Sequence, residues 1–132
     1  MNEPRWIQKK TVLAIHNLQL VEHGGSPGLR DESLLDSALG KPQHVFAYVD
    51  DADIFRLAAS YAFGLATNHP FVDGNKRTAL VVSVTFLDLN GWDVTSSRED
   101  EYLTFYGLAA GEVSEEELAA WFRTHTRPLP KP

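Results

Sequence analysis

The sequence predicts an all-α protein, a compact bundle of about six helices around one central buried helix. Three observations predict it. Apolar residues recur at helical spacing, as at Val12, Ile15 and Leu18. Stop signals such as Gly24-Gly25-Ser26-Pro27-Gly28 and start signals such as Asp31, Ser97 and Ser114 punctuate the chain. Thr78 to Leu89 is an apolar-rich segment closed by Asn90-Gly91. Its β-branched residues Val81, Val82, Val84 and Thr85 suit a strand, but its length and its end suit a buried helix with a left-handed cap.

The elements follow in order. Thr11 to Glu22 reads as the first helix, with Val12, Ile15 and Leu18 inward. Asp31 caps a short second helix that runs through Leu39, with Leu34, Leu35 and Leu39 inward, and Gly40-Lys41-Pro42 stops it. Lys41 to Asp53 reads as an irregular flap or hairpin whose aromatics suit partner contact. Asp53 to Asn68 is an Ala-rich third helix, and Thr78 to Leu89 is the fourth, expected at the centre of the bundle. Trp92 to Thr95 is a short extended connector. Ser97 caps a fifth helix to about Ala110, and Ser114 with Glu115-Glu116-Glu117 opens a sixth as a capping box. Residues 1–126 form one domain, and 127–132 are expected to be a loose proline-rich tail.

Bulk properties narrow the function. A chain of 132 residues has the size of one domain and buries roughly two thirds of its unfolded surface. With 43% hydrophobic and 23% charged residues it falls among globular rather than disordered chains. Twelve basic against eighteen acidic residues, net −6, argue against a general affinity for nucleic acid or anionic membrane. The absence of cysteine excludes disulfide and thiol chemistry and suits a reducing compartment. No apolar signal region follows Met1, and no stretch reaches the ~18 uninterrupted apolar residues of a membrane span, so a cytoplasmic location is expected.

The chemistry is concentrated in His69-Pro70-Phe71-Val72-Asp73-Gly74-Asn75-Lys76-Arg77, a polar loop that leads straight into the apolar fourth helix. Gly74 allows a turn where a side chain would block an incoming phosphate. The backbone N–H groups of Gly74, Asn75 and Lys76 fall at the helix start, where unpaired donors and the macrodipole favour an anion. Asn75, Lys76 and Arg77 add side-chain donors, and Arg77 has a bidentate fork. Asp73 is the carboxylate suited to Mg²⁺, and His69 is the group that titrates near neutrality and suits a general base. Singly, each has a plainer reading as a cap, a turn or a solvated charge. Two cations opposing the dipole at a helix start make sense together if an anion binds there. Phe71 reads as the anchor of the loop to the core, and Pro70 as its stiffener. No G-x-x-x-x-G-K-[ST] phosphate loop competes.

This run resembles the signature of the Fic/Doc superfamily, in its death-on-curing branch. His23–Gly25, Gly28–Pro42, Phe86–Gly91 and Ala110–Ser114 are also similar to such toxins, so the resemblance covers nearly the whole chain. It implies an all-α fold with the motif between two central helices and ATP and Mg²⁺ as cofactors. His69 would be the catalytic base and Asp73 the metal ligand. Gly74, Asn75, Lys76 and Arg77 would hold the phosphates. Members with lysine at the position of Lys76 resemble kinases that pass the γ-phosphate to elongation factor Tu. Pro70 and Gly74 look more like the AMP-transferring branch, which usually carries glycine at the position of Lys76 and arginine at that of Leu80. Thr67 stands where relatives often have arginine. An AMP transferase and a non-catalytic binding module are the alternatives. The self-inhibitory [ST]-x-x-x-E-[GN] helix of some Fic proteins is not found. The resemblance therefore implies a Phd-like antitoxin whose helical tail lies in a groove of the toxin.

Overall fold

The structure is a computed structural model and describes residues 1–130. Six helices and one short ribbon make up the described part: α1 (Lys9–His23), α2 (Glu32–Tyr48), α3 (Ile54–Asn68), α4 (Asn75–Leu89), β1 (Trp92–Val94), α5 (Arg98–Ala109), α6 (Glu115–Thr124) and β2 (Thr126–Pro128). The all-α class holds, and residues 75–89 are helical rather than extended. No helix among the described residues is long and apolar enough to cross a membrane.

The helix starts are set by side chains. Asp31, Asp53 and Ser97 each accept a backbone N–H from the first turn they precede, from Leu34, Arg56 and Asp100. Ser114 and Glu117 form a reciprocal capping box. Next to it, Glu115 is buried between Lys41 Nζ at 2.6 Å and Arg56 Nε at 2.7 Å, which ties α6 to α2 and α3.

Three expectations are corrected. The bundle is centred on α3, not α4. From Leu57 to Ala66 nearly every α3 residue is buried, and α3 touches α2, α4, α5 and α6. Its alanines, serine and glycine let neighbours approach on every side. The bulkier α4 buries mainly a stripe spaced by threes and fours: Thr78, Ala79, Val82, Ser83, Phe86 and Leu87.

The second helix, in turn, does not stop at Gly40-Lys41-Pro42 but continues to Tyr48. Leu35, Ala38, Pro42 and Val45 form one buried stripe, so the apolar repeat runs through the proline. Burying Pro42 and Val45 offsets the one helical hydrogen bond that proline cannot donate. The expected flap from Lys41 to Asp53 shrinks accordingly to a few residues after Tyr48, although Tyr48 itself is exposed.

Lastly, the start of the tail is not loose. Trp92, Asp93 and Val94 pair antiparallel with Pro128, Arg127 and Thr126, and the Leu129 N–H donates to the Gly91 carbonyl. Pro128 needs no N–H at the edge of a two-stranded ribbon. The remainder of the tail, 131–132, lies outside the described residues.

Helices α3 and α2 pack closely at Gly64 against Ala38. A Cβ built on Gly64 would stand 3.0 Å from the Ala38 Cβ and 3.1 Å from its Cα. Gly64→Ala must therefore push two backbones apart, and it is expected to destabilise the fold by about 1–3 kcal/mol, read from urea denaturation. An unchanged midpoint would show that α2 yields freely here.

Candidate active site

The C-terminus of α3 and the N-terminus of α4 meet in the loop 69–74, and the backbone there is held from several sides. His69 ends α3 in the left-handed conformation (φ 49°, ψ 55°), an unusual state for a residue with a side chain. Arg30 stabilises that end: its Nε donates to the His69 carbonyl at 2.7 Å and its Nη2 to the Asn68 carbonyl at 2.8 Å. A cation on the last carbonyls of a helix suits the macrodipole. The imidazole of His69 itself is exposed.

A second strand of chain runs beside the loop. The N–H groups of Arg30 and Asp31 donate to the Pro70 carbonyl, and the Val72 N–H donates to the Gly28 carbonyl. Leu29 thereby pairs antiparallel with Phe71. The Phe71 side chain is 1% exposed and stacks on the buried His16 ring of α1, with centroids 3.7 Å apart and planes 9° from parallel. The His16 Nε2 lies 2.8 Å from the Asp73 carbonyl oxygen.

Asn75 does something other than what its position in the motif suggests. Its Oδ1 accepts the Phe71 N–H at 3.0 Å and its Nδ2 donates to the Phe71 carbonyl at 2.9 Å. The amide is thus engaged on both sides and buried, with one Nδ2 hydrogen committed to the Phe71 carbonyl. Gly74, with φ +80°, makes the turn into α4. No side chain caps that helix, and Thr78 is the first residue whose N–H reaches back to the Gly74 carbonyl, which leaves the N–H groups of Asn75, Lys76 and Arg77 without helical partners.

Both oxygens of the Asp73 carboxylate accept backbone donors: Oδ1 the Gly74 N–H at 2.8 Å and Oδ2 the Ser26 N–H at 3.3 Å. Lys76 reaches across to α5, its Nζ 4.7 Å above the centre of the Tyr106 ring. Arg77 is exposed and forms no ion pair among the described residues. Thr67 bonds back to the Phe63 carbonyl within α3.

His69, Asp73, Gly74, Asn75, Lys76 and Arg77 all line one cleft of about 700 Å³, and Phe71 lies beneath it in the core. The opposite wall is α5, with Glu101, Tyr102, Phe105 and Tyr106. Burial raises the Glu101 carboxyl above its ordinary range, against the pull of Arg98. Reading the sequence left out His16, Arg30 and this aromatic wall. His16 was within reach, because it continues the Val12–Ile15 stripe at the four-residue step. Arg30 sits in a turn, where no periodicity marks it.

Fold and site together define a class: a helical bundle in which an exposed histidine and the uncapped start of the next helix share one cleft. Residues 6–87 match the Fic/DOC family, and the chain belongs to that family, on its Doc branch. It is 36% identical over 119 residues to a protein named "Protein kinase doc" of Escherichia phage P1, covering 90% of this chain and 94% of that one. It is also 43% identical over 72 residues to "Toxin Doc" of Mycolicibacterium smegmatis, covering 54% of this chain and 55% of the relative.

Proposed function

We propose that this chain is a Doc-type toxin, a phosphotransferase that moves the γ-phosphate of ATP to a hydroxyl of elongation factor Tu and so arrests translation. The observation that carries the reading is the shared cleft. It holds an exposed His69, the unpaired N–H groups of the α4 first turn and the Lys76 ammonium. The phosphates would lie against the N–H groups of Asn75, Lys76 and Arg77, with the two cationic side chains adding charge. His69 would take the proton as the hydroxyl oxygen bonds to the γ-phosphorus and the bond to the β-phosphate oxygen breaks, leaving ADP.

Mg²⁺ fits this site on one condition. Asp73 is its single loop carboxylate, and no cluster of three or more His, Cys, Asp or Glu side chains suited to a metal occurs among the described residues. One carboxylate holds Mg²⁺ when nucleotide phosphates and water supply the other ligands. The cation would neutralise charge on the transferring group.

The toxin name of the Mycolicibacterium smegmatis relative supports restraint by a Phd-like antitoxin, whose helical tail would bind in a groove of this chain. Lys76 favours γ-transfer over AMP transfer, since it puts a bulky cation inside the cleft where AMP-transferring relatives have glycine. The test is to incubate the protein with elongation factor Tu, Mg²⁺ and ATP labelled at the α- or the γ-phosphate. Label from the γ position alone is the expected result. Label from the α position would make the chain an AMP transferase, and no transfer would favour a binding module.

A further inference from the structure

We propose that His16 is a positioning residue for the site, acting through the Asp73–Gly74 peptide; the proposal rests on the roles given above to Asp73 and the start of α4. His16 is the only buried one of the five histidines, at 3% exposure. It belongs to α1, far from the motif in sequence, and it does not line the cleft. Its ring spans the loop from below: one face lies on Phe71, and the Nε2 edge meets the Asp73 carbonyl at 2.8 Å. A carbonyl oxygen only accepts, so Nε2 carries the proton and donates.

That single bond orients more than one group. The peptide between Asp73 and Gly74 is planar, so its C=O and N–H point in opposite directions. With the carbonyl held down by His16, the Gly74 N–H points at the Asp73 Oδ1, 2.8 Å away. The next residue, Gly74, is at φ +80° and feeds directly into α4. Glycine occupies the mirror-image φ about as readily, so the turn does not choose between the two peptide orientations by itself. A flip would release Oδ1 of Asp73, leaving Oδ2 on the Ser26 N–H, and re-aim the entry to α4. It would also leave the Nε2–H of His16 buried without an acceptor, and this is what holds the peptide in place.

Two substitutions separate the hydrogen bond from the packing. His16→Phe keeps an aromatic face against Phe71 and removes the donor. His16→Gln restores an amide donor and gives up the ring. The expected result is a crossed pattern. His16→Phe should melt near the wild type but lose kcat for γ-phosphate transfer on the order of tenfold, the worth of one hydrogen bond. KM should change far less than kcat, because the cations of Lys76 and Arg77 remain. His16→Gln should melt lower yet recover most of kcat at a temperature where it is folded. A purely structural His16 predicts the reverse, with activity following stability. A His16→Phe protein with wild-type kcat overturns the proposal, as does a folded His16→Gln protein that transfers no better than His16→Phe.

The ¹³C shift of the Asp73 carbonyl is read in the same variants. It should move in His16→Phe and return toward the wild-type value in His16→Gln. If the wild type transfers no phosphate, the phosphotransferase reading falls and this shift alone decides. An unmoved carbonyl in His16→Phe then removes His16 from its role.

Discussion

His69→Ala should abolish growth inhibition and lower γ-phosphate transfer by about 10²–10⁴-fold, the usual worth of a general base, with no loss of fold. The fold should survive because the imidazole is exposed and forms no hydrogen bond or ion pair within the described chain. What fixes residue 69 is backbone: the Arg30 guanidinium on its carbonyl and the buried Pro70 after it. Alanine keeps both. It is somewhat less at home at φ 49°, a cost of the order of 1 kcal/mol that melting experiments will show apart from activity. His69→Gly removes that strain and the base together, so it should be as inactive as His69→Ala while melting no lower. Wild-type toxicity in both proteins, with expression matched, would take His69 out of the chemistry.

Much of this fold was legible because it depends on local signals. The caps at Asp31, Ser97 and Ser114 act within one turn of themselves, and each sits where the sequence places it. The breaks and the centre were less legible because they depend on partners. Whether Pro42 ends a helix is decided by the burial of Pro42 and Val45, not by proline itself. Whether α3 or α4 is central is decided by how closely neighbours approach, as Gly64 and Ala38 show, and hydropathy does not encode distance. The site divides the same way. Every residue chosen from the motif for chemistry lines one cleft, because they are consecutive and the turn at Gly74 gathers them. His16 and Arg30 act on the motif from more than thirty residues away and lie outside any local pattern. Asn75 shows the opposite limit: its neighbours suggest an anion donor, yet its amide is turned to the Phe71 backbone.

Asn75→Ala gives the second large effect, and it distinguishes those two roles. The Phe71 N–H and C=O are buried with the residue, and the flanking backbone bonds to Gly28 and Arg30 belong to Val72 and Pro70, so no other backbone bond among the described residues serves Phe71. Removing the amide orphans one donor and one acceptor. At roughly 1–3 kcal/mol for each unsatisfied buried group, with some relaxation, the loss should be about 2–4 kcal/mol. That is a large share of a typical domain's stability of ~5–15 kcal/mol. Urea denaturation should show it as a lower midpoint with little change in slope. Asn75→Asp refines the point. Its carboxylate can still accept the Phe71 N–H but cannot donate to the Phe71 carbonyl, and it sets a negative charge where phosphate would bind. It should therefore fall short of wild-type stability and bind ATP more weakly than Asn75→Ala does at a temperature where both are folded. If Asn75→Ala instead keeps its stability and loses only phosphate binding, the side chain donates to substrate as the motif suggests, and the loop must be held together by His16 and the Gly28–Asp31 segment alone.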